Sequence, residues 1–196
     1  MIVLALTGSI GMGKSTTLRM FAEAGCATWD ADAAVHRLYQ SGGAVAEAVA
    51  ASFGPDVIAP DGSVDRDALG RRVLGDRDAL SRLEALVHPL VAEDRQRFLR
   101  EAEASGARVA VLDVPLLFET DGAGMADAVV VVTADEAVRR KRVLARPGMT
   151  EAKLEGILAR QLAEAARTAR ADHVIRTDEG VEAARAAVSR VLKGLR

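Results

Sequence analysis

Hydrophobic and polar positions follow two different rhythms along this chain. Short, nearly unbroken apolar runs at Ile2–Thr7, Cys26–Asp30, Arg108–Val114, Ala128–Thr133 and Ala171–Thr177 predict five strands. The fourth, Ala-Val-Val-Val-Val-Thr, is almost wholly β-branched, as a strand covered on both faces should be. Between the runs, apolar residues recur at helical spacing. That spacing predicts a helix over Thr16–Ala22 that stops at Gly25, another over Ala33–Tyr39, and a closing amphipathic helix over Val181–Leu195. Strands interleaved with helices predict an α/β fold, a five-stranded doubly wound parallel sheet with right-handed crossovers.

The rhythm changes between Gln40 and Ala104. Ser41-Gly42-Gly43 breaks the preceding helix, Pro55 to Asp67 is turn-rich, and the remainder reads as helix. Leu69, Val73 and Leu74 are expected to share one apolar face, and Leu80, Leu83, Leu86 and Val87 another. Asp65 and Asp76 stand where helix N-caps belong. His88 precedes Pro89, which predicts a break between helices there. The ordinary role for such a histidine is a buried hydrogen-bonding residue. Arg95 reads first as part of a solvated helix face, with a ligand phosphate as the alternative partner. The whole block lies between two strands of one sheet, so it is expected to be an insertion able to cover a substrate.

Composition narrows the class. The 196 residues suit one α/β domain with elaborations, and with 49% hydrophobic and 28% charged residues the chain is globular rather than disordered. A net charge of −2 and 3% aromatics argue against a nucleic-acid partner, which calls for a basic surface or stacking aromatics. No apolar run approaches membrane-spanning length, and the N-terminus lacks the basic flank and cleavage site of an export signal. Cys26 has no second cysteine to pair with and is expected to be a small core residue. A soluble, cytoplasmic setting follows, with no membrane partner.

The candidate chemistry begins directly after the first strand. Gly8-Ser-Ile-Gly11-Met12-Gly13-Lys14-Ser15 fits G-x-x-x-x-G-K-[ST], set between a strand and a helix as a phosphate-binding loop must be. Glycines let successive backbone N–H groups converge on an anion at the positive end of a helix. Lys14 is expected to reach the β- and γ-phosphates of a nucleoside triphosphate, and the Ser15 hydroxyl to ligate Mg²⁺. Asp30-Ala31-Asp32 follows the second strand, at the sheet edge where open α/β proteins bind ligands. Asp32 is a candidate general base for an attacking hydroxyl, or a holder of the metal's water shell; capping of the next helix is the competing role. Asp113, ending the third strand, resembles the second Mg²⁺-side carboxylate of P-loop enzymes, or else is a turn acid before Pro115. Arg139, Arg142 and Arg146 recur at i, i+3, i+7 and fall on one helix face, followed by Pro147-Gly148 and a second helix from Thr150. A hinged helical pair presenting arginines suits a lid that excludes water and neutralises developing phosphate charge. An ordinary basic surface is the plainer alternative.

Taken in order, these features make the chain resemble the dephospho-CoA kinase family over nearly its whole length. The matching stretches are Thr7 through Thr16, Asp30-Ala31-Asp32, Gly62-Ser-Val-Asp-Arg66, His88-Pro89, Asp113 through Glu119, Arg142 through Gly148, Gln161 and Ala171-Asp172. The resemblance implies transfer of the ATP γ-phosphoryl group to the ribose 3′-hydroxyl of dephospho-CoA, with Mg²⁺. It further implies a nucleotide core (1–35, 105–135 and 170–196), a helical CoA-binding insert (36–104) and a lid (136–169). Carried over by position, Gly8, Gly11, Met12, Gly13, Lys14, Ser15, Thr16 and Arg146 would hold ATP, and Ser15 and Asp113 the metal. Asp32 would be the catalytic base, with Lys14 and Arg142 acting on the phosphoryl group. His88, Arg95, Leu116 and Leu117 would meet the acceptor. The family often has Met-Pro after the glutamine and a lysine beyond it; here Leu162-Ala163 follow Gln161, and Arg167 stands near the lysine's place.

Three other readings compete. A nucleoside monophosphate or shikimate kinase is the nearest, although the long insert argues against the compact versions. A GTPase-like switch would read guanine with Asn-Lys-x-Asp, and the chain contains no asparagine. An ATP-binding assembly protein would bind nucleotide without acceptor-dependent ADP release. A monomer is the expected state.

Overall fold

The computed structural model describes residues 1–43, 45–120 and 122–195. Its centre is a five-stranded parallel sheet of β1 (Ile2–Thr7), β2 (Ala27–Asp30), β3 (Val109–Asp113), β4 (Ala128–Thr133) and β5 (His173–Arg176), in the order β2-β3-β1-β4-β5. β1 lies between β3 and β4, with Leu4 facing Val111 on one side and Ala128 on the other. The chain moves away from β1 in one direction for β2 and β3 and in the other for β4 and β5. The end of β1 is therefore a topological switch point, the place where open sheets bind ligands.

The apolar runs become strands because helices cover both faces. β4 is buried from Val129 through Thr133, the outcome its β-branched sequence predicts. One core layer packs Leu4, Leu6, Val130, Val132 and Ile175 against Met20 and Phe21 of α1 (Lys14–Glu23) and Val188 and Val191 of a C-terminal helix, Val181–Gly194. A second layer joins Ala5, Val129 and Val131 to Leu117 and Phe118. Cys26 is half-buried against the first layer, and burial pushes its thiol pKa up. Gly25, just past the C-cap of α1, has a φ of 88° in the left-handed region. The Gly25 N–H donates to the Ala22 carbonyl and the Cys26 N–H to the Phe21 carbonyl, the paired closure of a Schellman cap.

The described residues divide into two compact units: Met1–Trp29 with Ala102–Arg196, and Asp30–Glu101. The second unit is helical. It contains α2 (Ala31–Leu38), α3 (Ala46–Phe53), α4 (Arg66–Val73) and most of α5 (Arg77–Ala104), around a core of Val45, Val49, Phe53, Val57, Leu69 and Val87. Asp65 caps α4 by accepting from the Asp67 and Ala68 N–H groups, and Asp76 does the same for Asp78 and Ala79 at the head of α5.

Two sequence expectations need correction in this unit. No break occurs at His88-Pro89: α5 continues through Pro89 for 28 residues, and His88 is exposed rather than buried. Proline forfeits one backbone hydrogen bond, but Val87 on one side and Leu90 and Val91 on the other all pack on the same core, which offsets that loss. Leu74 and Leu80 do not join apolar faces; they are 78% and 41% exposed, because α4 ends before Leu74 and Ala79 takes the inward position in α5.

Candidate active site

The loop from Gly8 to Gly13 carries β1 into α1, and packing dictates its glycines. A Cβ at Gly8 would stand 2.6 Å from the Val132 carbonyl oxygen. Gly11 (φ 78°) and Gly13 (φ 88°) both need the left-handed region, and a Cβ at Gly11 would meet Val143 Cγ2 at 2.5 Å. Gly13 is also the N-cap of α1 and offers no side chain there, so the helix's first N–H groups remain pointed at the loop's concavity. Met12 is buried in the core, and its contribution to the loop is backbone. Lys14 opens α1 and donates to Asp113 Oδ1 at 2.5 Å, at the buried end of β3. The Ser15 and Thr16 side chains are exposed on the first turn.

Beyond β4, α6 (Glu136–Leu144) and α7 (Glu151–Leu158) form the predicted helical pair, tied by ion pairs from Arg140 to Glu151 and Glu155. The three spaced arginines separate in role. Arg139 is buried over Gly11 with Glu136 as its ion-pair partner. Arg142 donates to the Thr177 hydroxyl at 2.9 Å and the Thr177 carbonyl at 2.8 Å, and reaches the Gly11 carbonyl at 3.5 Å. Arg146 lies just past the helix end, exposed. Arg142 and Arg146 line a pocket of about 240 Å³ with Gly11, Thr16, Thr177 and Gly180, continuous with the loop's outer side.

Thr177 was not among the expected site residues. Its hydroxyl donates to the Met12 carbonyl at 2.8 Å, and its N–H donates to Thr133 at the end of β4. It joins β4, β5, the glycine loop and Arg142 at one point. Gln161 is also brought to the loop: its Oε1 accepts from Ser9 Oγ at 2.5 Å and from the Ile10 N–H at 3.4 Å. Glu119, at the end of the stretch after β3, accepts from the Leu162 N–H and from Arg167 at 2.8 Å each. Burial works against the charged form of Glu119, but the Leu162 N–H, its own backbone N–H and the Arg167 guanidinium outweigh it, holding its carboxyl below the ordinary value.

In the helical unit, Asp30 and not Asp32 caps α2, accepting from the Ala33 N–H at 3.0 Å. Asp32 stands exposed in the first helical turn with its carboxylate released from the capping role. Arg95 is half-buried on α5, where burial pushes its guanidinium below the ordinary value without removing its charge. Beside it, Asp94 is 5% exposed and accepts from Arg37 of α2 at 2.8 Å and from Arg97. Of the pair after β3, Leu116 is 45% exposed while Leu117 is fully buried in the core, so Leu117, expected to meet the acceptor, presents no accessible surface to one.

A glycine loop wrapped on a helix N-terminus, a lysine and a buried carboxylate at its mouth, and an arginine-bearing helical pair over it define a P-loop kinase. The model of the dephospho-CoA kinase family matches residues 2–183. A dephospho-CoA kinase from Mesorhizobium japonicum is 57% identical over 196 residues, covering 100% of this chain and 98% of that one. One from Rhodopseudomonas palustris is 53% identical over 192 residues, covering 98% and 94%. A Thermus thermophilus protein of known structure superposes with a TM-score of 0.83 at 31% identity, covering 100% of this chain and 98% of that chain. The chain belongs to the dephospho-CoA kinase family, and its reaction is the phosphorylation that completes coenzyme A.

Proposed function

We propose that this chain moves the γ-phosphoryl group of ATP, as its magnesium complex, onto the ribose 3′-hydroxyl of dephospho-CoA through the residues described above. The Gly8–Gly13 loop and the first turn of α1 hold the phosphate tail, and the pocket between Arg146, Thr177 and Gly180 takes the nucleoside end. Asp32 accepts the hydroxyl proton. Capping by Asp30 supports this assignment, since it leaves the Asp32 carboxylate without a structural duty. Lys14 and Arg142 place positive charge on the transferring group, the main need of a loose phosphoryl transition state. Arg95, His88 and Leu116 serve the acceptor, residues 36–104 being its binding insert and 136–169 the lid.

The metal would rest on Ser15 and Asp113. Both donors are oxygen, and no group of three or more His, Cys, Asp or Glu side chains suited to a metal occurs among the described residues. A site with so few protein ligands fits Mg²⁺, which keeps water and phosphate oxygens in its shell. When bound it supplies charge neutralisation on the phosphates.

The observation that carries this reading is Lys14 and Asp113 meeting at the mouth of the glycine loop, 2.5 Å apart at the carboxyl edge of the central strands. ADP release measured with dephospho-CoA, adenosine, nucleoside monophosphates and shikimate tests it. Release should depend on dephospho-CoA and magnesium, and stimulation by any of the other acceptors instead would overturn the assignment.

A further inference from the structure

The return limb of the helical pair, residues 159–163, leads into α8 (Glu164–Thr168), whose N-cap Ala163 provides no side-chain hydrogen bond. Something else must fix it, and two side chains do. Gln161 Oε1 takes the Ser9 hydroxyl and the Ile10 N–H, so one amide oxygen spans two successive residues of the glycine loop. One residue further on, the Leu162 N–H is held by Glu119, the same carboxylate oxygen that receives Arg167. Ser9 is 3% exposed and Arg167 is wholly buried.

The buried pair leaves part of the guanidinium unsatisfied. Among the described residues, Arg167 Nε and Nη1 have no hydrogen-bond partner, nor do the carboxylate oxygens of Glu164, which approaches Nη1 only to 3.7 Å. Burying a guanidinium costs several kcal/mol, recovered only where its remaining donors are also satisfied. What the pair does secure is register: it holds residue 162, and with it the amide of residue 161, against the loop. Gly11, Gly13 and Thr177 constrain the far side of the loop, while Gln161 is the side chain bonded to its near side, at Ser9 and Ile10.

We infer that Gln161 is a positioning residue for ATP, acting through Ser9 and Ile10 to set the glycine loop in its phosphate-binding shape, with Glu119 and Arg167 as its footing. This rests on the loop being the ATP site. A residue that shapes the loop equally for bound ATP and for the transition state changes the Michaelis constant and spares the chemical step.

The test is steady-state kinetics on the full chain carrying Gln161→Met, Ser9→Ala, and both. Gln161→Met keeps the length and removes the acceptor. Each single change should raise KM for ATP about tenfold, the scale of one to two net hydrogen bonds, with kcat and KM for dephospho-CoA held within about twofold. The double variant should be no worse than the poorer single one, because both remove the same contact. Effects that multiply in the double variant, an unchanged KM for ATP, or a fall in kcat with both KM values rising together would overturn the inference. Lys14→Ala in parallel separates the two levels. If it retains ATP turnover the loop is not the ATP site, whereas its failure beside a normal Gln161→Met isolates the error to Gln161.

Discussion

At the scale of single residues, the two aspartates at the end of β2 differ in a way their spacing alone did not fix. Asp30 satisfies the Ala33 N–H and closes the helix start, and Asp32 is exposed one step further on. Removing the charge of Asp32 should therefore leave α2 in place. Asp32→Asn is expected to lower kcat by at least about a hundredfold, the low end for a general base. Its circular dichroism and melting midpoint should match the parent, and normal turnover in that folded variant would refute the role. The glycine loop and the place of Lys14 at the head of α1 were legible because the motif states its own geometry. Thr177 was not: a threonine ending an edge strand has no local signature, and its meaning comes from Met12 and Arg142, which lie 165 and 35 residues away in the chain.

Among elements, legibility follows how local the determining forces are. β1 and β4 were bounded in sequence as they are in space, since an apolar run covered on both faces has only one stable state. The Asp65 and Asp76 caps were likewise readable, being contacts within three residues. The rule that a helix stops before proline failed at Pro89 because core packing on both sides outweighed one missing hydrogen bond. Arg139 and Arg142 share α6 as their spacing implied, but Arg146 falls past the helix end, and the surroundings of the three differ with whether Gly11, Thr177 or solvent lies opposite. Because the two caps are local and remote from the glycine loop in sequence, their loss should register in stability. Asp65→Ala and Asp76→Ala are each expected to cost about 1 kcal/mol. Chemical denaturation should show that loss with an unchanged slope, and kcat should stay at the parent value; a kcat change without a stability change would mean the caps serve the chemistry.

For the whole molecule, linkage connects single groups to the stability of the fold. The folded pKa of Glu119 is depressed, so it contributes stability that is complete above the unfolded glutamate value of about 4.3 and disappears as pH falls through the lower folded value. Glu119→Gln should thus flatten the decline in melting midpoint below about pH 5 relative to the parent, and two parallel curves would show that Glu119 does not report on folding. Ligands act through the same balance from the other side. The glycine loop, Lys14 and the pocket beneath Arg142 and Arg146 all belong to the unit formed by Met1–Trp29 and Ala102–Arg196, whereas Asp32 belongs to the helical unit. ATP binding to the folded state alone at a hundred times its Kd adds about 2.7 kcal/mol. For a chain of this size that is a rise of roughly 5–10 °C in melting midpoint. Lys14→Ala removes the cation proposed to meet the phosphates and should lose most of that rise. Asp32→Asn should keep it in full, because a base acting on the acceptor hydroxyl contributes nothing to holding ATP. Scanning both variants with and without magnesium ATP therefore separates binding from chemistry in one measurement. A Lys14→Ala protein still protected by ATP would place the triphosphate elsewhere, and an Asp32→Asn protein that lost protection would turn Asp32 from a base into an ATP ligand.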